Sequence, residues 1–157
     1  MAIMIPAAGT RFLIVRTDAR LCALPLEQVA ETLRPLPIEP LAAMPPCVLG
    51  VSVIRGISVR VIDAALLLGA RRAAPGRYVT VKLGAARRVA LAVDGVIGVR
   101  ELPEASLGEV PPLLREANAD AISAISALDG ELLLVLQAAR LIPEQVWSVL
   151  ESGGAKS

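Results

Sequence analysis

The stretch GVSVIRGISVRVID, Gly50 to Asp63, is nearly all β-branched or aliphatic, with Arg55 directly before Gly56 at its middle. Such residues favour extended backbone. A fixed charge inside so apolar a run stands at a turn, faces water, or faces a partner. Arg55-Gly56 divides the stretch into two strands, CVLGVSVI and ISVRVID, and reads as a hairpin. Working outward, the same grammar recurs. RFLIVRT and RLCALPL flank Asp18-Ala19, RYVTVKL and RVALAVD flank Gly84-Ala85-Ala86, and DAISAISAL and ELLLVLQ flank Asp129-Gly130. Asp-Gly between apolar runs is a strong tight-turn signal. VIGVREL adds a further strand. Helix is confined to short pieces at Ala64–Leu68, at 138–142 and at PEQVWSVLE (143–151), where Pro143 suits a first helical turn.

The chain repeats itself. Shifted by 74 residues, Gly50–Leu68 lies on Ala124–Ile142, so that Ser52, Gly56, Val61, Ala64, Ala65 and Leu67 meet Ser126, Gly130, Val135, Ala138, Ala139 and Leu141. Earlier strands align as well: Val15 meets Val81 and Arg16 meets Lys82, and after one inserted residue Ala23, Leu24 and Val29 meet Ala90, Leu91 and Val96. The order strand, strand, strand, long loop, hairpin, short helix therefore occurs twice. The expected fold is all-β. Each half forms a small antiparallel barrel of about five strands, since closure removes exposed edges from short strands. Barrel one spans roughly 12–69, barrel two roughly 77–142, and a short C-terminal helix covers 143–151, all within one domain of 157 residues. The loops RPLPIEPLAAMPP and ELPEASLGEVPPLLREANAD carry five and three prolines with large apolar residues, and are expected to pack across their barrels.

Composition excludes several functions. The net charge of +1 gives no bulk attraction to nucleic acid or anionic membrane. There is no histidine, which removes the commonest general base and metal ligand, and two cysteines alone make no ordinary zinc site. Cys22 and Cys47 lie in apolar surroundings and read as small buried hydrophobes of a reduced compartment. The glycines match no phosphate loop or dinucleotide fingerprint. Phe12, Tyr78 and Trp147 are the only aromatics, too few for a base-stacking surface. No run approaches a membrane helix, and the N-terminus is a poor signal peptide, so a cytoplasmic protein is expected. Asp63 and Asp94, the carboxylates in the most apolar context, keep a hydrolase open as a remote alternative. Carboxylates at strand ends bonded to backbone are the simpler account.

The segments PLEQVAETLRPLPI, GVSVIRGISVRVID, LAVDGVIGV and ALDGELLLVLQAARLI, in this order from about residue 11 to 142, resemble the CheW family of chemotaxis coupling proteins. The resemblance implies two five-stranded SH3-like barrels packed together, with no catalysis, no cofactor and no metal. It implies a scaffold that couples the cytoplasmic helical-hairpin tip of a chemoreceptor to the CheA-type histidine kinase, through that kinase's own CheW-like regulatory domain, with self-association in rings possible. No nucleic acid and no membrane insertion are implied.

Arg55 aligns with the arginine of the family's Asn-Leu-Arg-Gly motif, at the receptor-facing groove. The resemblance makes Val29, Glu31, Ile54, Arg55 and Gly56 candidates for the receptor side, with Glu31 orienting the guanidinium. Pseudo-symmetry suggests Val96, Val99 and Leu102 for the kinase side. Composition alone leaves Arg55 an ordinary solvated arginine at a hairpin end. Four positions depart from the family pattern: Val53 replaces asparagine, Arg60 stands where proline or an apolar residue is common, Ala124 replaces glycine, and Gln137 replaces Asp or Asn. These leave room for a divergent adaptor of a non-flagellar pathway that has lost one of its two partners.

Overall fold

The short apolar runs become strands, and the computed structural model describes them over residues 9–69, 75–84, 87–112 and 121–154. The strands are β1 (Thr10–Thr17), β2 (Arg20–Pro25), β3 (Val29–Leu33), β4 (Val48–Ile54), β5 (Ile57–Asp63), β6 (Arg77–Leu83), β7 (Arg87–Val93), β8 (Gly95–Leu102), β9 (Ile122–Leu128) and β10 (Glu131–Leu136). Helices α1 (Ala64–Leu67), α2 (Ala138–Leu141) and α3 (Glu144–Gly154) fall where the sequence placed them, with α3 running a turn further than expected. Ala85 and Ala86 of the third hairpin turn, and 113–120 of the second long loop, lie outside the described residues.

The strands form two five-stranded sheets, ordered β8-β1-β2-β10-β9 and β3-β6-β7-β5-β4. If each half of the repeat is numbered one to five, both sheets read three-one-two-five-four. The repeat is therefore real, but its assignment to contiguous barrels at 12–69 and 77–142 is corrected. Strands one and two of each half join strands three, four and five of the other. The first barrel holds β1 and β2 with β8, β9 and β10, and the second holds β6 and β7 with β3, β4 and β5. The exchange follows from the duplication. β3 and β8 are equivalent strands, so each fits either barrel, and only the connection decides. After β2, Pro25 and the 3-10 turn Leu26–Gln28 redirect the chain, whereas after β7 only Asp94 intervenes before β8.

The two barrels match in detail. The parallel pairs β2–β10 and β7–β5 occupy the same place in each, and the first–third strand pairs β1–β8 and β6–β3 each carry one irregularity. The proline-rich loop bridges Glu39 to Val51, and its counterpart bridges Gly108 to Ile125, 74 residues after Val51. Both loops thus cross their barrels. The first also accepts hydrogen bonds from Ser52 Oγ at Pro37 O (2.8 Å) and from the Tyr78 hydroxyl at Leu36 O (3.1 Å). Gly50 permits this approach: a Cβ there would stand 2.3 Å from Glu39 O.

Three cores explain why the strands read as continuous apolar runs. Phe12, Ile14, Leu21, Ala23, Leu133 and Val135 fill the first barrel. Ile54, Val59, Val61, Tyr78, Ala90 and Ala92 fill the second. The opposite faces of the same strands, through Leu13, Val15, Cys22, Leu24, Val79, Val81, Val89, Leu91 and Leu134, meet in a larger core between the barrels. A strand buried on both faces has no polar side to alternate. Trp147 and Leu150 of α3 seal this central core. Arg87 of β7 stacks 4.7 Å from the Trp147 ring centroid and reaches both Glu144 and Glu151, clamping the helix down.

Candidate functional site

Arg55 and Gly56 have φ of 51° and 78°, which makes the β4–β5 turn type I′. The left-handed region suits glycine or asparagine, so arginine at the first central position is held there against its preference. The turn projects Arg55 from the end of the second barrel, leaving its side chain 77% exposed. Across that end runs β3. Arg55 Nε donates to Glu31 Oε2 at 2.8 Å, so the outer strands β3 and β4 of this sheet are tied across the barrel opening. Only Nε is used. The two terminal nitrogens of the guanidinium make no hydrogen bond among the described residues, and its fork stays open. The hydrogen bond from Arg55 holds the Glu31 carboxyl below its ordinary range, and the charge of Arg88 adds to the effect.

The remaining receptor-side candidates fall into place around this pair. Gly56 completes the turn, Ile54 is buried beneath it in the barrel core, and Val29 is half-buried against the central core. Val53 faces outward and is 64% exposed, and Ile57, one residue beyond the turn, is 51% exposed. Ile57 pairs with Ile54 and shares its face at the barrel mouth, whereas Val53 pairs with Ser58 on the opposite face, so Ile57 is the apolar group on the same side as the cations of this end.

The kinase-side candidates are not one surface. Val99 on β8 is 47% exposed, with Ile97 exposed near it. Val96 packs into the central core, and Leu102 is buried in the first barrel. Leu102 is therefore corrected to a wall of the barrel interior, because the end of β8 turns inward opposite Thr10.

Two cations went unnoticed in the sequence. β7 pairs with β6 so that Arg88 lies directly opposite Lys82, and β3 pairs with β6 so that Glu31 lies opposite Thr80. Lys82 and Arg88 therefore occupy the next row on the face that carries Thr80 and Ala90, about 7 Å along the strands. β3, β5 and β7 begin at this end and β6 ends there. In the sequence the two cations only flank an ordinary turn, and nothing relates them to Glu31.

The carboxylates suspected of acid–base work are committed to backbone. Asp63 Oδ1 accepts from Ala65 N (3.0 Å) and Leu66 N (3.3 Å), capping α1. Asp94 Oδ2 accepts from Asp18 N at 3.0 Å. Both cysteines are free thiols, and burial pushes Cys22 up to about 11. Among the described residues no group of His, Cys, Asp or Glu could hold a metal ion, and no helix is long and apolar enough to cross a membrane.

Comparison with known proteins agrees with this architecture. A solved structure, the scaffolding protein TtCheW from Thermoanaerobacter tengcongensis, superposes with a TM-score of 0.75 at 20% identity, covering 86% of this chain and 93% of the other. The likeness establishes the fold of two packed SH3-like barrels. A search of curated proteins found no match. The family model for the CheW-like domain matches residues 11–146, most of the length, and the chain belongs to the CheW-like domain family of chemotaxis scaffold proteins.

Proposed function

We propose that the protein is a non-catalytic adaptor that joins chemoreceptors to a CheA-type histidine kinase in the cytoplasm. The observation that carries the receptor side is the Arg55–Glu31 clamp. One nitrogen of the guanidinium is anchored and the rest of the fork is open, beside the exposed Val53 and Ile57. A preoriented arginine next to apolar surface is the composition of an interface hot spot. Val29, Ile54 and Gly56 shape and support that tip. On the kinase side, Val99 with Ile97 offers an apolar patch on the equivalent strand of the other barrel. Val96 and Leu102 hold that strand from behind.

The test is calorimetric titration with a chemoreceptor cytoplasmic hairpin fragment and, separately, with a kinase regulatory domain. Both should bind the wild type. Arg55→Ala should weaken the receptor fragment by more than about tenfold, a hot-spot-sized loss, while leaving the kinase domain unaffected. Equal receptor affinity in wild type and Arg55→Ala returns Arg55 to an ordinary surface pair. Val53 favours a second reading. An apolar residue, largely exposed, stands where the family carries asparagine, which fits a divergent adaptor that has lost one partner. Binding to one of the two fragments and not the other decides for it.

A further inference from the structure

The end of the second barrel carries more positive charge than its ion pairs use. Arg55, Lys82 and Arg88 lie at it with Glu31, and Lys82 also lines a cavity with Glu27. Neither Lys82 nor Arg88 makes an ion pair among the described residues. The chain as a whole is nearly neutral, so this excess is a local feature and not the edge of a basic protein. Nor is it inherited from the repeat. The positions matching Arg55, Lys82, Arg88 and Glu31 are Asp129, Arg16, Leu21 and Gly98. Arg16 there is taken by Glu131 at 3.1 Å, and Leu21 is buried.

We infer that Arg88 and Lys82, together with the open fork of Arg55, form a carboxylate-reading rim, and that the segment docking on Ile57 at the barrel mouth brings an acidic side chain to it. The inference rests on the receptor reading of this end and names the chemistry of its partner: a receptor helix with a carboxylate beside its apolar contact residues. The reason is desolvation. A partner that covers Ile57 at the barrel mouth removes water from the neighbouring cations. Covering cations without supplying acceptors is unfavourable, because a desolvated charge needs a paired and hydrogen-bonded counterpart. Glu31 supplies a single negative charge, which Arg55 already holds by a hydrogen bond and Arg88 shares at longer range. A neutral apolar partner is thus disfavoured, while an acidic one gains charge-assisted hydrogen bonds from the fork and faster encounter from the rim. Arg88 and Lys82 act here as specificity-determining residues.

The experiment titrates the full chain with a chemoreceptor hairpin fragment and with the same fragment whose tip Asp and Glu are changed to Asn and Gln, at low and high salt. Arg88→Glu and Lys82→Glu are each expected to weaken the native fragment by about tenfold or more at low salt, with a smaller loss at high salt, as for rim charges. The neutralised fragment should bind wild type and Arg88→Glu alike. Both side chains are exposed, so melting curves should coincide with wild type, and Arg88→Gln, a milder change, should lie between. Native-fragment binding that is unchanged in Arg88→Glu and Lys82→Glu overturns the inference and leaves the receptor reading standing. A wild type that ignores the native fragment overturns both.

Discussion

The two hairpin tips, Ile54-Arg55-Gly56-Ile57 and Leu128-Asp129-Gly130-Glu131, are the same turn with opposite charge. Arg55 and Gly56 have φ of 51° and 78°, and Asp129 and Gly130 have 50° and 81°. Behind each tip lie equivalent buried residues: Val59 and Val61 in one barrel, Leu133 and Val135 in the other. Each edge strand is bridged by its loop at the same position. What differs is polar and exposed. Matched position by position, the rim around Arg55 has three cations and one carboxylate, and the rim around Asp129 has one cation and one carboxylate, with Glu131 in the place of Ile57 pairing the cation. Duplication has kept everything that specifies a barrel and released what a barrel shows to its surroundings. Fold and recognition in this molecule are written in different residues.

The most severe way to break the comparison is to cut the chain between its halves. If each barrel truly borrows three strands from the other half, residues 1–69 alone should show no cooperative unfolding transition, and mixing with 75–157 should restore one. A cooperative melt from either half alone is incompatible with the exchanged pairing. Next in size are the matched core residues. Val61→Ala and Val135→Ala should each cost about 1–3 kcal/mol by denaturant titration, since both side chains are buried in barrel interiors. A large loss at one and none at the other would break the equivalence of the two cores.

The matched pair Cys22 and Val89, both buried in the central core, sharpens the comparison through pH. Burial raises the Cys22 thiol to about 11 from an ordinary value of 9.0. The folded protein therefore holds this proton more tightly than the unfolded chain. The resulting stability is intact below pH 9.0 and lost as pH rises through about 11, amounting to about 3 kcal/mol if the whole shift is expressed. Cys22→Val, which copies the counterpart, should flatten this alkaline loss. Smallest of all is Val53→Asn. The side chain is exposed, so stability should move by no more than about 0.5 kcal/mol, while affinity for a receptor fragment increases.

Much of this was legible in the sequence because turns and burial are local. Arg55-Gly56 and Asp129-Gly130 marked hairpin turns between apolar runs, and the shift of 74 set the register before any strand was placed. Strand exchange was not legible. β3 and β8 carry the same pattern, so periodicity cannot say which barrel each completes. The rim was half legible. Glu31 and Arg55 were paired through the family resemblance, but Lys82 and Arg88 join them only through cross-strand register, which leaves no trace in sequence spacing. Leu102 misled because an apolar residue near an exposed strand looks like surface until the end of the strand turns inward.

The exchange has a mechanical consequence. The chain passes between barrels twice, once through the three residues after Pro25 and once through Asp94 alone. Both passages are too short to act as hinges, and the central core fills the space a hinge would need. Swinging the barrels apart would expose the central core they share. The tip at Arg55 and the exposed patch at Val99 are therefore held at a fixed spacing and angle, as by a strut. On the proposed adaptor role, a displacement at one face would therefore be carried to the other with little loss.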